Sequence, residues 1–233
     1  MMRVLLFDID GTLVHAGGAG RRALERALRA HLGELNGAVT ELRLDGMTDR
    51  LIVREAMVAL GREFEEAACD RILASYVEYL RVEIASPGYR VLPGIGELLP
   101  ALRRRGALVG LCTGNVVDGA RVKLGRGGID SFFEWGAGAV AGFGGDGEAR
   151  ERIVEAALAR AGRRLGRAVR PAEVLVVGDT PRDVEAARRA GVPVLGVATG
   201  RYGVEELLAC GADRVLPDLG GPEVADLLLA GAA

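Results

Sequence analysis

Residues 3–7 (RVLLF) form a short, mainly apolar run that stops at Asp8, Ile9, Asp10, Gly11 and Thr12, the pattern of a buried strand ending in a polar cluster. The period then changes. Over residues 19–32, Ala23, Leu24, Ala27, Leu28 and Leu32 share one stripe with arginines opposite, which predicts an amphipathic helix. A looser stretch at 33–46 precedes a second helical pattern over 48–60, capped by Thr48 or Asp49, and a third over 64–84. No alternating pattern interrupts these three. Residues 15–90 are therefore expected to be a helical insertion into a core made of residues 1–14 and 91–233, with Gly17-Gly18 and Ser86-Pro87-Gly88 as hinges.

From residue 91 strands and helices alternate, the signature of an α/β fold with a parallel sheet and crossover helices. Strands are predicted at 107–112, 132–135, 174–177, 192–197 and 214–216. Helices are predicted at 94–104, from 116 to about 124, at 148–163, at 182–190 and from 222 onward, with Pro100 weakening the second half of the first. Residues 136–147 read as a glycine-rich loop.

Composition narrows the classes of function. Apolar residues make up 49% of the 233-residue chain, enough to bury a core. With 30 basic residues against 32 acidic ones and no basic run of five, neither nucleic acid nor an anionic membrane is an expected partner. The first apolar run breaks at Asp8 and none approaches the length of a membrane span, so a cytoplasmic protein, monomer or homodimer, is expected. Cys69, Cys112 and Cys210 show no C-x-x-C spacing, which argues against a disulfide framework or a thiolate metal site. Lys123 is the only lysine in a chain otherwise supplied with arginine. It either survives by chance or marks a place that needs a compact ammonium.

The candidate chemistry lies where apolar strands end. In extended chain Asp8 and Asp10 point to the same side, so two carboxylates meet that repel unless a cation or proton sits between them. Thr113-Gly114-Asn115 falls where a strand becomes a helix, and its hydroxyl and free N–H groups form an anion site. Gly178-Asp179-Thr180-Pro181-Arg182-Asp183 adds two more carboxylates at a third strand end. Ligands of open parallel sheets bind at that edge. Four carboxylates there exceed what helix capping explains and point to a hard cation such as Mg2+.

Asp8-Ile9-Asp10-Gly11-Thr12-Leu13, Thr113-Gly114-Asn115 and the 178–183 segment resemble, in order, the first, second and fourth motifs of the haloacid dehalogenase-like superfamily. Leu92-Pro93-Gly94 is similar to the segment that re-enters the core in its phosphoglycolate phosphatase-like branch. The resemblance implies a Rossmann-like core with a small helical cap domain, and a Mg2+-dependent phosphatase acting on a small phosphomonoester. It implies Asp8 as nucleophile, Asp10 as acid and base, and Thr113, Gly114 and Asn115 as holders of the phosphoryl oxygens. Mg2+ would rest on Asp8, the carbonyl of Asp10, and Asp179, with Asp183 steadying the shell. The chain departs from the family at the third motif, where a lysine is usual. Arg150, at the start of the helix before the fourth motif, is the first choice for that role, Arg152 another, and Lys123 the rival. Lys123 lies eight residues along a helix from Asn115, about 12 Å at the standard rise.

Gly46-Met47-Thr48-Asp49 is similar to a stretch in caps of this branch, so Thr48, Asp49 or Arg50 is expected to face the substrate or else to cap the helix. His15 sits beside the hinge. A phosphomutase using the same aspartyl-phosphate is an alternative, with His15 as the nearby candidate to time acid and base. A phospho-accepting signalling module is another, although the large insertion and Asp10 argue against it.

Overall fold

The computed structural model describes residues 3–230, so residues 1–2 and 231–233 of the expected core lie outside the described residues. In chain order the elements are β1 (Val4–Phe7), β2 (Val14–Ala16), α1 (Ala19–Leu32), α2 (Gly37–Thr40), α3 (Asp49–Ala59), α4 (Glu66–Glu83) and β3 (Tyr89–Val91). They continue as α5 (Ile95–Arg104), β4 (Leu108–Cys112), α6 (Val117–Arg126), β5 (Ala141–Gly142), α7 (Arg150–Leu165) and β6 (Val174–Gly178). The chain closes with α8 (Pro181–Arg189), β7 (Val194–Val197), α9 (Val204–Ala209), β8 (Arg214–Leu216) and α10 (Val224–Ala230).

Six strands form a parallel sheet in the order β5-β4-β1-β6-β7-β8. Because strand side chains alternate, β1 sends Leu5 and Phe7 into one apolar layer and Val4 and Leu6 into the other. Helices α5, α6 and α10 cover the first layer, and α7, α8 and α9 the second. With both faces covered, β1 and β6 are fully buried, which explains their unbroken apolar sequences. The strand order turns around at β1, whose neighbours are β4 and β6. Their register pairs Phe7 with Leu111 on one side and Val177 on the other. Asp8, Thr113 and Asp179 therefore leave the sheet side by side at its C-terminal edge.

Helices α1 to α4 hold a third apolar cluster of their own, built on Ala23, Leu28, Val53, Ile72 and Leu80. The chain enters and leaves this unit through an antiparallel ribbon, β2 against β3, in which Val14 pairs with Val91 and Ala16 with Tyr89. That ribbon has no counterpart in the periodicity of the sequence.

Two further expectations change. The strand predicted at 132–135 is absent: Asp130–Phe132 is a 3-10 turn, Phe133 is buried in the core, and Trp135 stacks on Phe143 with ring centroids 6.2 Å apart. The sheet edge is instead Ala141–Gly142, inside the stretch expected to be a loop, because Leu111 and Cys112 supply the pairing. Helix α5 runs to Arg104 as predicted, with Pro100 inside it.

Candidate active site

Asp8 follows β1 directly, and its N–H donates to Val177 O across the sheet at 2.9 Å. The chain then turns sharply. Gly11 takes a φ of +82°, and a Cβ there would lie 2.2 Å from Oδ2 of Asp179, so only glycine lets the first loop pass over that carboxylate. Thr12 donates its hydroxyl to Asp179 Oδ1 at 3.2 Å. Thr180 caps α8 and shares a reciprocal box with Asp183, whose Oδ2 accepts from the Thr180 N–H at 3.0 Å and hydroxyl at 2.6 Å.

Asp8, Asp179 and Asp183 are buried, and a ligand oxygen from each lies within 4.8 Å of the others. Arg150, the first residue of α7, is also buried. Its guanidinium bonds Asp183, lies 3.5 Å from Asp8 and donates to Gly46 O at 3.0 Å. Burial and the facing Asp183 push the Asp8 carboxyl up to about 7, while Arg150 pulls it back. Burial, Asp183 and Asp8 drive Asp179 well above the ordinary carboxylate range. The cluster is thus all hard oxygen and short of positive charge, which fits a small divalent cation. The carboxylate of Asp10 stands apart from it. Its Oδ2 accepts from Asn115 Nδ2 at 2.9 Å and Lys123 Nζ at 2.5 Å.

Thr113 is fully buried and its hydroxyl oxygen accepts from Asn115 Nδ2 at 2.8 Å. The loop it begins is held from the other unit: Asp49 N–H donates to Gly114 O at 2.9 Å, and the Asp49 carboxylate accepts from Val116 N–H at 2.8 Å. Between the two units lies a cavity of about 810 Å³, lined by Asp8, Asp10, Thr113, Gly114, Asn115, Lys123, Arg150 and Asp179 among others.

Four of the anticipated residues lie off this cavity: Thr48, Arg50, Asp183, and Arg152, which is exposed and pairs with Glu155. Thr48 is buried and its hydroxyl accepts from Leu51 N–H, so it caps α3 and does not face the cavity, while its neighbours Met47 and Asp49 do. Asp183 sits behind the lining. Arg50 bonds Glu66 and Asp70 within the helical unit. His15 lines the cavity mouth on β2, exposed, with Nδ1 accepting from Gly17 N–H at 3.2 Å. Arg150 and Lys123, weighed as rivals, both reach the site and serve different carboxylates. The 12 Å separation made Lys123 look remote, but Asn115 precedes α6 and its side chain meets the lysine halfway, at 2.6 Å. Sequence reasoning missed Tyr76 and Gly20 beside Lys123, and Thr199, whose hydroxyl donates to Gly11 O at 2.5 Å. No local motif marks them, since each acts through a contact far away in sequence.

The Rhodospirillum rubrum protein named phosphoglycolate phosphatase is 34% identical over 94% of this chain and 88% of its own length. A protein of the same name from Synechococcus elongatus is 28% identical over 92% of each. The crystal structure of CbbY from Rhodobacter sphaeroides in complex with phosphate superposes with a TM-score of 0.74 at 20% identity, covering 99% of this chain and all of that one, which shows a shared fold. The family model of haloacid dehalogenase-like hydrolases matches residues 2–191, from ahead of Asp8 to beyond Asp183. With the carboxylate edge and the sheet order in agreement, the chain belongs to the haloacid dehalogenase-like hydrolases.

Proposed function

We propose that this hydrolase is a phosphatase of small phosphomonoesters that works through a phosphoryl group carried on Asp8, and that residues 15–90 are a cap closing over its substrate. The observation that carries the reading is the pairing of two neighbouring carboxylates in different surroundings. Asp8 is buried against Arg150, whereas Asp10 is 44% exposed at the cavity beside two donors.

An oxygen of Asp8 attacks phosphorus, and the bond to the substrate's ester oxygen breaks. Asp10, acting as the acid, gives a proton to the departing alkoxide, which leaves as the alcohol. The Asp10 carboxylate then takes a proton from water, and the hydroxide attacks phosphorus, releasing inorganic phosphate and restoring Asp8. Arg150 fills the role of the missing third-motif lysine by placing positive charge 3.5 Å from the nucleophile. Thr113, Gly114 and Asn115 bind the phosphoryl oxygens at the head of α6. Mg2+, held by Asp8, Asp179 and the carbonyl of Asp10 with Asp183 behind, would offset the repulsion between a carboxylate and a phosphate dianion.

The names of the relatives make phosphoglycolate the first substrate to test, and they favour a phosphatase over a phosphomutase. Phosphate release from a panel of alkyl and aryl phosphomonoesters, with Mg2+ and with chelator, tests the proposal. Metal-dependent release is expected. No release from any member by folded protein overturns it.

A further inference from the structure

Lys123 is the only lysine of the chain, and its side chain is 6% exposed at the seam between α6 and the helical unit. Its ammonium donates to Asp10 Oδ2 at 2.5 Å and to Asn115 Oδ1 at 2.6 Å. Asn115 in turn donates to the same Asp10 oxygen at 2.9 Å. The three side chains close a ring in which each is held by the other two. One oxygen of Asp10 is pinned by two donors.

The cover over this ring comes from the other side of the seam. A Cβ on Gly20 of α1 would lie 3.5 Å from Nζ, with the Tyr76 hydroxyl of α4 at 3.9 Å. Tyr76 is buried, and its hydroxyl lies on the same side of the ammonium as Gly20. A Cβ on Gly119 of α6 would meet the Tyr76 ring at 3.5 Å. Two helices and a ring thus stand around a compact point charge whose geometry a planar guanidinium does not reproduce. This accounts for a lysine where every other basic position except the histidines is arginine.

We propose that Lys123 is the positioning residue for Asp10: it fixes which oxygen of that carboxylate faces the reacting centre, and the helical unit holds Lys123 in turn. The role differs from that of Arg150, which stands at the nucleophile. It rests on the reading of Asp10 as acid and base. A carboxylate that first gives and then takes a proton must keep one oxygen within reach of both the leaving group and the water.

The test separates the two chemical steps. An aryl phosphate with a good leaving group needs no acid to depart but still needs the base to free the enzyme. In Lys123→Met, the first-turnover burst of p-nitrophenol from p-nitrophenyl phosphate is expected to stay within about threefold of wild type, while steady-state turnover falls roughly 100-fold. With an alkyl phosphate both should fall. Tyr76→Phe, which removes only the hydroxyl over the ammonium, should show the same split at roughly threefold. In a Cys210→Ser background, where Cys69 and Cys112 are buried away from the cavity that residue 123 lines, Lys123→Cys alkylated with 2-bromoethylamine restores an ammonium of similar reach. It should recover turnover that Lys123→Arg does not. Burst and turnover falling together in Lys123→Met, or no recovery on aminoethylation of folded protein, overturns the proposal. Absence of any Mg2+-dependent release by wild type would instead overturn the phosphatase reading.

Discussion

Asp49 offers a test whose size follows from its surroundings. It lies 7% exposed in the seam, where its carboxylate accepts from Val116 N–H. Burial pushes it up to about 6 from an ordinary 3.8, although Lys123 and the Val116 bond pull the other way and Asp10 adds a little repulsion. A carboxyl that holds its proton more tightly folded than unfolded makes the fold less stable as pH rises between those two values, and the loss is complete above the higher one. The gap corresponds to about 3 kcal/mol at pH 8 and about half that at pH 5. Asp49→Asn keeps an acceptor for Val116 and removes the charge. Urea unfolding of both proteins in chelator should find the variant more stable by about 3 kcal/mol at pH 8, with the advantage shrinking toward pH 5. Superimposable pH profiles, or a variant less stable at pH 8, would show that Asp49 is not the strained carboxylate described here.

Asp8→Asn should abolish phosphate release, and Asp10→Asn should slow turnover of alkyl phosphates roughly 100-fold or more, both read by phosphate assay. Arg150→Met leaves the buried carboxylates of Asp8 and Asp183 without their guanidinium; turnover at saturating Mg2+ should fall roughly 100-fold, and an unchanged rate would remove Arg150 from the mechanism. At Gly200 a Cβ would lie 1.8 Å from Asp179 Oδ2. Gly200→Ala should therefore displace that carboxylate and raise the Mg2+ concentration for half-maximal activity roughly 10- to 100-fold, with circular dichroism unchanged.

The edge on which the site is built was readable because of how parallel sheets are buried. β1, β4 and β6 are covered on both faces, so each is an apolar run that ends where the chain meets the cavity, and Asp8, Thr113 and Asp179 stand at those ends. The amphipathic stripes of α1, α3 and α4 were equally plain, since Leu24, Ile52 and Ile72 all face one cluster. What escaped depends on distant partners. β5 is two residues long and exists because β4 offers its edge, while the more apolar stretch around Phe133 went into the core. The β2–β3 ribbon joins residues some seventy-five positions apart through three pairs. Thr48 carries the residue type of a ligand contact and of a helix cap alike, and only its burial decides for the cap. The place of Lys123 required knowing that Asn115 turns back before α6 begins.

That ribbon carries a consequence for how such a chain diversifies. Ala16 and Tyr89 are paired neighbours, so the segment between them starts and finishes at adjacent points, about 5 Å apart. A segment anchored in this way can lengthen, shorten or be exchanged wholesale without shifting a strand of the sheet, and closing a longer one costs little additional entropy. The sheet edge and the helical segment are therefore separately heritable. A transplanted segment would need to reproduce only what crosses the seam: the grip of Asp49 on the 114–116 loop, the carbonyl of Gly46 for Arg150, and the cover that Gly20 and Tyr76 give Lys123.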